Sequence, residues 1–129
     1  MADERTEIVR QFMDAISRAD LDAMLAVSHP EGELIPLMST WPQPYLGHDG
    51  LRQWWDDLHQ IWDEFAAEPS AFRELDDGVL LVDFEWRATP KGGGMELEGP
   101  AVALFRFRDG KAFSAQIFLD EERALRSLG

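Results

Sequence analysis

Few side chains in this 129-residue chain are of a type and spacing that could do chemistry. The three histidines, His29, His48 and His59, do not fall at i, i+4 spacing around a carboxylate, the pattern of a zinc-protease helix. There is no cysteine, so a zinc site would need imidazoles and carboxylates alone, and no metal or other cofactor is expected. His29 precedes Pro30, where an imidazole can satisfy the last carbonyls of a helix. His48 opens a tryptophan-rich segment and could point into a pocket mouth, whereas His59, among Asp56, Asp57 and Asp63, reads as solvated. A carboxylate such as Glu33 can act as acid or base inside an apolar pocket. Alternation with Leu34, Pro36 and Met38 turns Glu33 to the opposite face. The Tyr45 hydroxyl could donate to a substrate oxygen or anchor its loop. Arg106 continues the Val102 and Leu104 face and could hold a carboxylate at a rim or pair with surface acids. Asp120 is placed to cap a closing helix, and Gln116 faces away from any pocket. No residue is assigned a catalytic role.

The elements that would position these groups are strongly aromatic. Leu51, Trp54, Trp55, Leu58, Ile61, Trp62 and Phe65 recur at helical spacing and form one broad apolar face. Flat rings on such a face line apolar pockets as readily as they fill a core. The stiff loop Trp41-Pro42-Gln43-Pro44-Tyr45 precedes this helix. Upstream, Asp3 can cap a helix whose Ile8, Val9, Phe12, Ala15 and Ile16 share a face. Asp20 can cap a short helix, Leu21 to Val27, closed by Ser28-His29-Pro30. Glu33 to Met38 reads as a strand, with Pro36 arguing for an edge.

Beyond Ala66 the apolar period changes to two. Strands are predicted over Ala71–Leu75, Val79–Ala88, Met95–Arg108 and Lys111–Leu119, followed by a helix over Glu121–Leu128. Asp77-Gly78 and Asp109-Gly110 suit tight turns, Gly92-Gly93-Gly94 reads as a hairpin tip, and Gly99-Pro100 suggests a bulge. Leu80, Val82, Phe84 and Trp86 share one face of their strand. The following strand is apolar on both sides, with Val102 and Leu104 on one and Ala103, Phe105 and Phe107 on the other. Double-sided burial needs a second cover. A homodimer through the outer sheet face is the expected one.

Composition narrows the classes further. The hydrophobic share of 45% suits one packed domain, spanning residues 1–129. A net charge of −13 with no basic stripe argues against nucleic acid. The acidic start is unlike a signal peptide, and no apolar run approaches membrane-spanning length. A cytoplasmic protein without a membrane partner is expected.

Four segments in order resemble the SnoaL-like polyketide cyclase group of the nuclear transport factor 2-like superfamily. They are Ala19-Asp20-Leu21-Asp22-Ala23-Met24, Ser28-His29-Pro30, Tyr45-Leu46-Gly47-His48-Asp49-Gly50-Leu51 and Arg108-Asp109-Gly110-Lys111. The resemblance implies an α+β cone: a curved, mixed antiparallel sheet wrapped around three helices, with a short C-terminal helix. It also implies a deep pocket. The lining expected from pattern and resemblance together is Phe12, Ile16, Trp41, Tyr45, Trp54, Trp55, Leu58, Val82, Phe84, Trp86, Val102, Leu104 and Ile117. Ketosteroid isomerases of this superfamily use a tyrosine, a base on the first strand and a protonated aspartate. The corresponding positions here hold Phe12, Pro36 or Met38, and Val102. The leading expectation is a small-molecule binder with an apolar aromatic pocket. The alternatives are a cyclase, isomerase or dehydratase working by proton transfer on a carbonyl compound, and a non-enzymatic dimeric interaction module.

Overall fold

A computed structural model describes residues 2–36, 44–75 and 78–128. Helix α1 (Ala2–Ser17) begins one residue ahead of the expected cap Asp3 and buries Val9, Phe12, Met13 and Ile16 along one stripe. The chain reverses at Ala19, which sits at φ 56. Asp20 then caps α2 (Leu21–Ala26), its side chain accepting the Ala23 N–H at 3.1 Å. There follow β1 (Ser28–Ile35), β2 (Tyr45–Leu46), α3 (Gly47–Ile61), β3 (Trp62–Glu74), β4 (Leu80–Pro90), β5 (Leu97–Arg108), β6 (Lys111–Phe118) and α4 (Glu121–Ser127).

The strands form one six-stranded sheet in the order β2-β1-β6-β5-β4-β3. Only β1 and β6 run parallel; every other neighbouring pair is antiparallel. This is the mixed, curved α+β sheet expected from the sequence. The main core lies between its inner face and helices α1 to α3, with Phe105 and Val82 fully buried. Burying such side chains contributes roughly 1.5–3 kcal/mol each. At the β3 edge, the Ser17 hydroxyl accepts the Ala67 N–H at 3.0 Å and donates toward the Ala67 carbonyl, also 3.0 Å away.

Three expectations change, besides the bulge expected at Gly99-Pro100, where β5 pairs with β4 without a register shift. Strand β3 begins at Trp62, not near Ala71, so Trp62 and Phe65 belong to the sheet and not to α3. Register shifts at Trp62/Glu64 and Pro69/Ala71 break the two-residue alternation, which is why this strand is hard to see in the sequence. Strand β1 begins at Ser28 and ends at Ile35, leaving Pro36 outside it. The third change concerns β5. Val82 is paired with Ala103 and Phe84 with Ala101, and directly opposed residues share a face. The inner residues of β5 are therefore Ala101, Ala103 and Phe105, and Val102 and Leu104 point outward.

The outward pair explains the double-sided strand. Val102 and Leu104 join Val79, Leu81 and Ala124 in a second apolar cluster beneath α4. The cover that β5 demands is thus supplied by the chain's own last helix. Asp120 caps that helix by accepting the Arg123 N–H at 2.9 Å. Among the described residues no helix is long and apolar enough to cross a membrane.

Candidate functional site: an aromatic cavity

Small residues on β3 and β5 face large ones on β4, and the mismatch opens a space. Trp86 is flanked by Ala67 on one side and Gly99 on the other, while Phe84 faces Ala101. A Cβ added at Gly99 would meet the Trp86 ring at 3.3 Å, so glycine is what lets the indole lie down there. Between these strands and the helices lies a cavity of about 200 Å³. Helix α1 contributes Phe12, Met13 and Ile16, and α3 contributes Trp54 and Leu58, one turn apart. The sheet side adds Leu34, Pro36, Trp62, Phe65, Ala67, Phe84, Trp86, Ala101, Phe105 and Ile117. Phe12 and Phe105 meet edge to face, with centroids 5.6 Å apart, as their quadrupoles favour. Trp62 reaches the wall because α3 stops at Ile61: Trp62 is extended, at φ −120 and ψ 135.

Every described lining side chain is apolar or an indole. The polar handles on the described wall are the indole N–H groups of Trp54, Trp62 and Trp86, each a donor without acceptor capacity.

Of the residues expected to line a pocket, Phe12, Ile16, Trp54, Leu58, Phe84, Trp86 and Ile117 border this cavity. Trp41 lies outside the described residues. Val82 belongs to the adjoining core, fully buried and away from the wall. Val102 and Leu104 are corrected to the outer face, for the pairing reason given above. Trp55 turns aside from the cavity, its ring 4.9 Å from that of His59. Tyr45 is buried and donates to Asp57 Oδ2 at 2.7 Å, which makes it an anchor between β2 and α3 and not part of the wall. The expected lining omitted Met13, Leu34, Pro36, Ala67, Ala101 and Phe105, and it omitted Trp62 and Phe65 although both stand on the apolar face read as pocket-forming. The available signal was the run Gly99–Phe105, where small residues alternate opposite the large side chains of β4.

The candidate polar groups all lie elsewhere. Glu33 accepts from the Ser114 hydroxyl at 3.2 Å, while its neighbour Leu34 faces the cavity. His29 is buried; Nδ1 accepts the Glu31 N–H at 3.0 Å, and Nε2 donates to Asp109 at 3.1 Å. It therefore ties β1 to the β5–β6 turn and caps no helix carbonyl. His48 Nε2 donates to the Ser28 carbonyl at 2.9 Å and fixes α3 to the start of β1, so it is not at a pocket mouth. His59 is half-buried, donating from Nδ1 to the Trp55 carbonyl at 2.8 Å. Arg106 is exposed and paired with Ser114 on the outer side of the sheet, away from the cavity rim. Among the described residues no group of three or more His, Cys, Asp or Glu is arranged to hold a metal ion.

Comparison with known proteins agrees with this architecture. An NTF2-like protein from Burkholderia pseudomallei K96243 superposes with a TM-score of 0.78 at 22% identity, covering 95% of both chains. TerC, co-crystallized with polyporic acid, gives a TM-score of 0.80 at 19% identity over 97% of each chain. A protein of ketosteroid isomerase-like fold from Catenulispora acidiphila DSM 44928, in complex with trimethylamine, gives 0.75 at 14% identity, covering 87% of this chain and 84% of that one. At these identities the likeness is one of fold. A search of curated proteins found no match. Residues 9–115 match the family model of the SnoaL-like domain, and the chain belongs to that family.

Proposed function

We propose that this protein binds a small, largely apolar organic molecule in the aromatic cavity. The observation that carries this reading is a cavity of about 200 Å³ whose described wall contains no ionisable side chain. An engineered apolar cavity of about 150 Å³ accepts benzene, so this one suits a single ring or a group of similar bulk. Two proteins of the same fold hold small organic molecules, polyporic acid in one and trimethylamine in the other, which supports the same use of the fold here. The wall supports binding over a cyclase, isomerase or dehydratase reaction, because proton transfer needs an acid or base within hydrogen-bond reach of the substrate. It also supports binding over a purely structural role, because Trp54 and Trp86 line the space and do not fill it.

Titration with small aromatic compounds, read by the fluorescence of the wall tryptophans, tests the reading. Saturable binding that Ala101→Leu abolishes is expected; no binding by any compound that fits the volume refutes it. We also propose that the protein is a homodimer in the cytoplasm, joined through the outer side of the sheet. Leu119, Leu125 and Leu128 remain exposed on and beside α4 and would contribute to that contact. Sedimentation at micromolar concentration should show the dimer, and a monomer there would rule it out.

A further inference from the structure

The cavity is unusual among the aromatic surfaces of this protein in carrying no cation of its own. Three phenylalanine rings elsewhere are each covered by an arginine: Phe107 by Arg5 at 5.6 Å, Phe72 by Arg10 at 4.8 Å and Phe113 by Arg108 at 3.9 Å. None of those rings borders the cavity. Among the described residues, no lysine or arginine covers a ring that does, and none lines the wall. Ring faces carry negative quadrupole density, and tryptophan, which supplies Trp54, Trp62 and Trp86 here, attracts cations most strongly.

The surface beside the cavity carries acids as well. A polar cleft of about 460 Å³ shares Ile16 and Phe65 with the cavity and is lined by Asp63, Glu64 and Glu96. Its cations are Arg18 and Arg87, with His59 beside them. Arg18 is already held by Asp14 at 2.7 Å and Asp20 at 3.5 Å, and Lys91 lies 3.9 Å from Asp63. The whole chain carries a net charge of −13, which favours the approach of cations within a Debye length, about 8 Å at physiological ionic strength.

The chemistry of the wall then selects among cations. A primary ammonium brings three N–H donors, and the wall side chains offer indole donors but no acceptor to receive them. Burying those donors unpaired would be costly. A quaternary ammonium has no N–H to satisfy and presents only methyl or methylene groups, over which its charge is spread. From these observations we infer that the cavity takes the quaternary ammonium head of a small organic cation. The inference rests on the reading of the cavity as a ligand site and adds the charge of what occupies it.

The test compares two molecules of the same shape, phenyltrimethylammonium and tert-butylbenzene, titrated into the intact protein and followed by tryptophan fluorescence. The cation should bind about tenfold more tightly, the ~1.4 kcal/mol that lies within the range of a desolvated cation–π contact. Trp86→Leu should weaken the cation by a larger factor than it weakens tert-butylbenzene and so remove most of that preference, and Trp86→Phe, a milder change, should reduce it in part. Equal or tighter binding of tert-butylbenzene would overturn the charge assignment and leave the ligand site standing. A preference unchanged in both Trp86 variants would also overturn it, since the cation would then sit elsewhere. Failure of both molecules to bind would defeat the ligand site itself.

Discussion

Ala101 and Ala103 lie two residues apart on the inner face of β5, yet only Ala101 borders the cavity. Replacing each by leucine therefore sends the same three carbon atoms into two different surroundings. At Ala101 they enter a space of about 200 Å³. Burial at about 0.8 kcal/mol per methylene sets a ceiling near ~2.4 kcal/mol, and ordering the leucine costs about 0.5–1 kcal/mol. Ala101→Leu should therefore stabilise the fold by about 1–2 kcal/mol, raising Tm by roughly 3–10 °C for a domain of this size. Ala103 is 0% exposed and wedged between Val82 and Ile117 on the adjacent strands. There the same substitution overpacks the core and should cost about 1–3 kcal/mol. Urea unfolding followed by circular dichroism measures both, with unchanged slopes showing that the change lies in stability alone. If Ala101→Leu destabilises as much as Ala103→Leu, the space beside Trp86 is not available to a side chain and the ligand-site reading fails with it.

Other consequences of the packing are open to simpler measurements. Leu104→Ala should lose about 2–5 kcal/mol, because Leu104 is buried under α4; a loss below 1 kcal/mol would mean the helix does not cover the strand. Gly32→Ala puts a Cβ 2.4 Å from the Phe113 carbonyl oxygen, a backbone atom, so β1 and β6 must part and stability should drop by at least about 1–3 kcal/mol on chemical unfolding. Tyr45→Phe removes the 2.7 Å hydrogen bond to Asp57 and should cost about 1–2 kcal/mol. Ligand affinity should stay within twofold in that variant, since Tyr45 is no part of the wall; a larger change would bring it back into the site.

Helix α1, helix α4 and strand β4 were legible because each keeps one period over its length. The tryptophan segment was legible as apolar but not as two elements. Trp54 and Leu58 belong to a helix while Trp62 and Phe65 belong to a strand, and their spacing suits a continuous helix equally well. Only pairing with β4, a contact distant in sequence, decides between them. The same is true of Val102 and Leu104. A strand apolar on both faces carries no local mark of which side is inner, and the partner residues Val82 and Phe84 supply that information only once register is known. Cavity residues were harder still, because a cavity is made by what is small. Ala67, Gly99 and Ala101 matter through the volume they leave beside Trp86 and Phe84, and such residues draw no attention in a sequence.

The Ser17 hydroxyl that meets both polar atoms of Ala67 has a meaning beyond the fold of one chain. Strand β3 lies at the edge of the sheet over thirteen residues and is the natural template for an added strand from another molecule. Ser17 occupies the backbone donor and acceptor that such a strand would use near the middle of that edge. Pro69, two residues further on, has no N–H to offer, and the register shift beside it bends the ladder. One hydroxyl and one proline thus protect the longest edge from runaway sheet extension. Strand addition is thereby hindered at the longest edge of the sheet, which leaves faces and side chains as the easier surfaces for assembly.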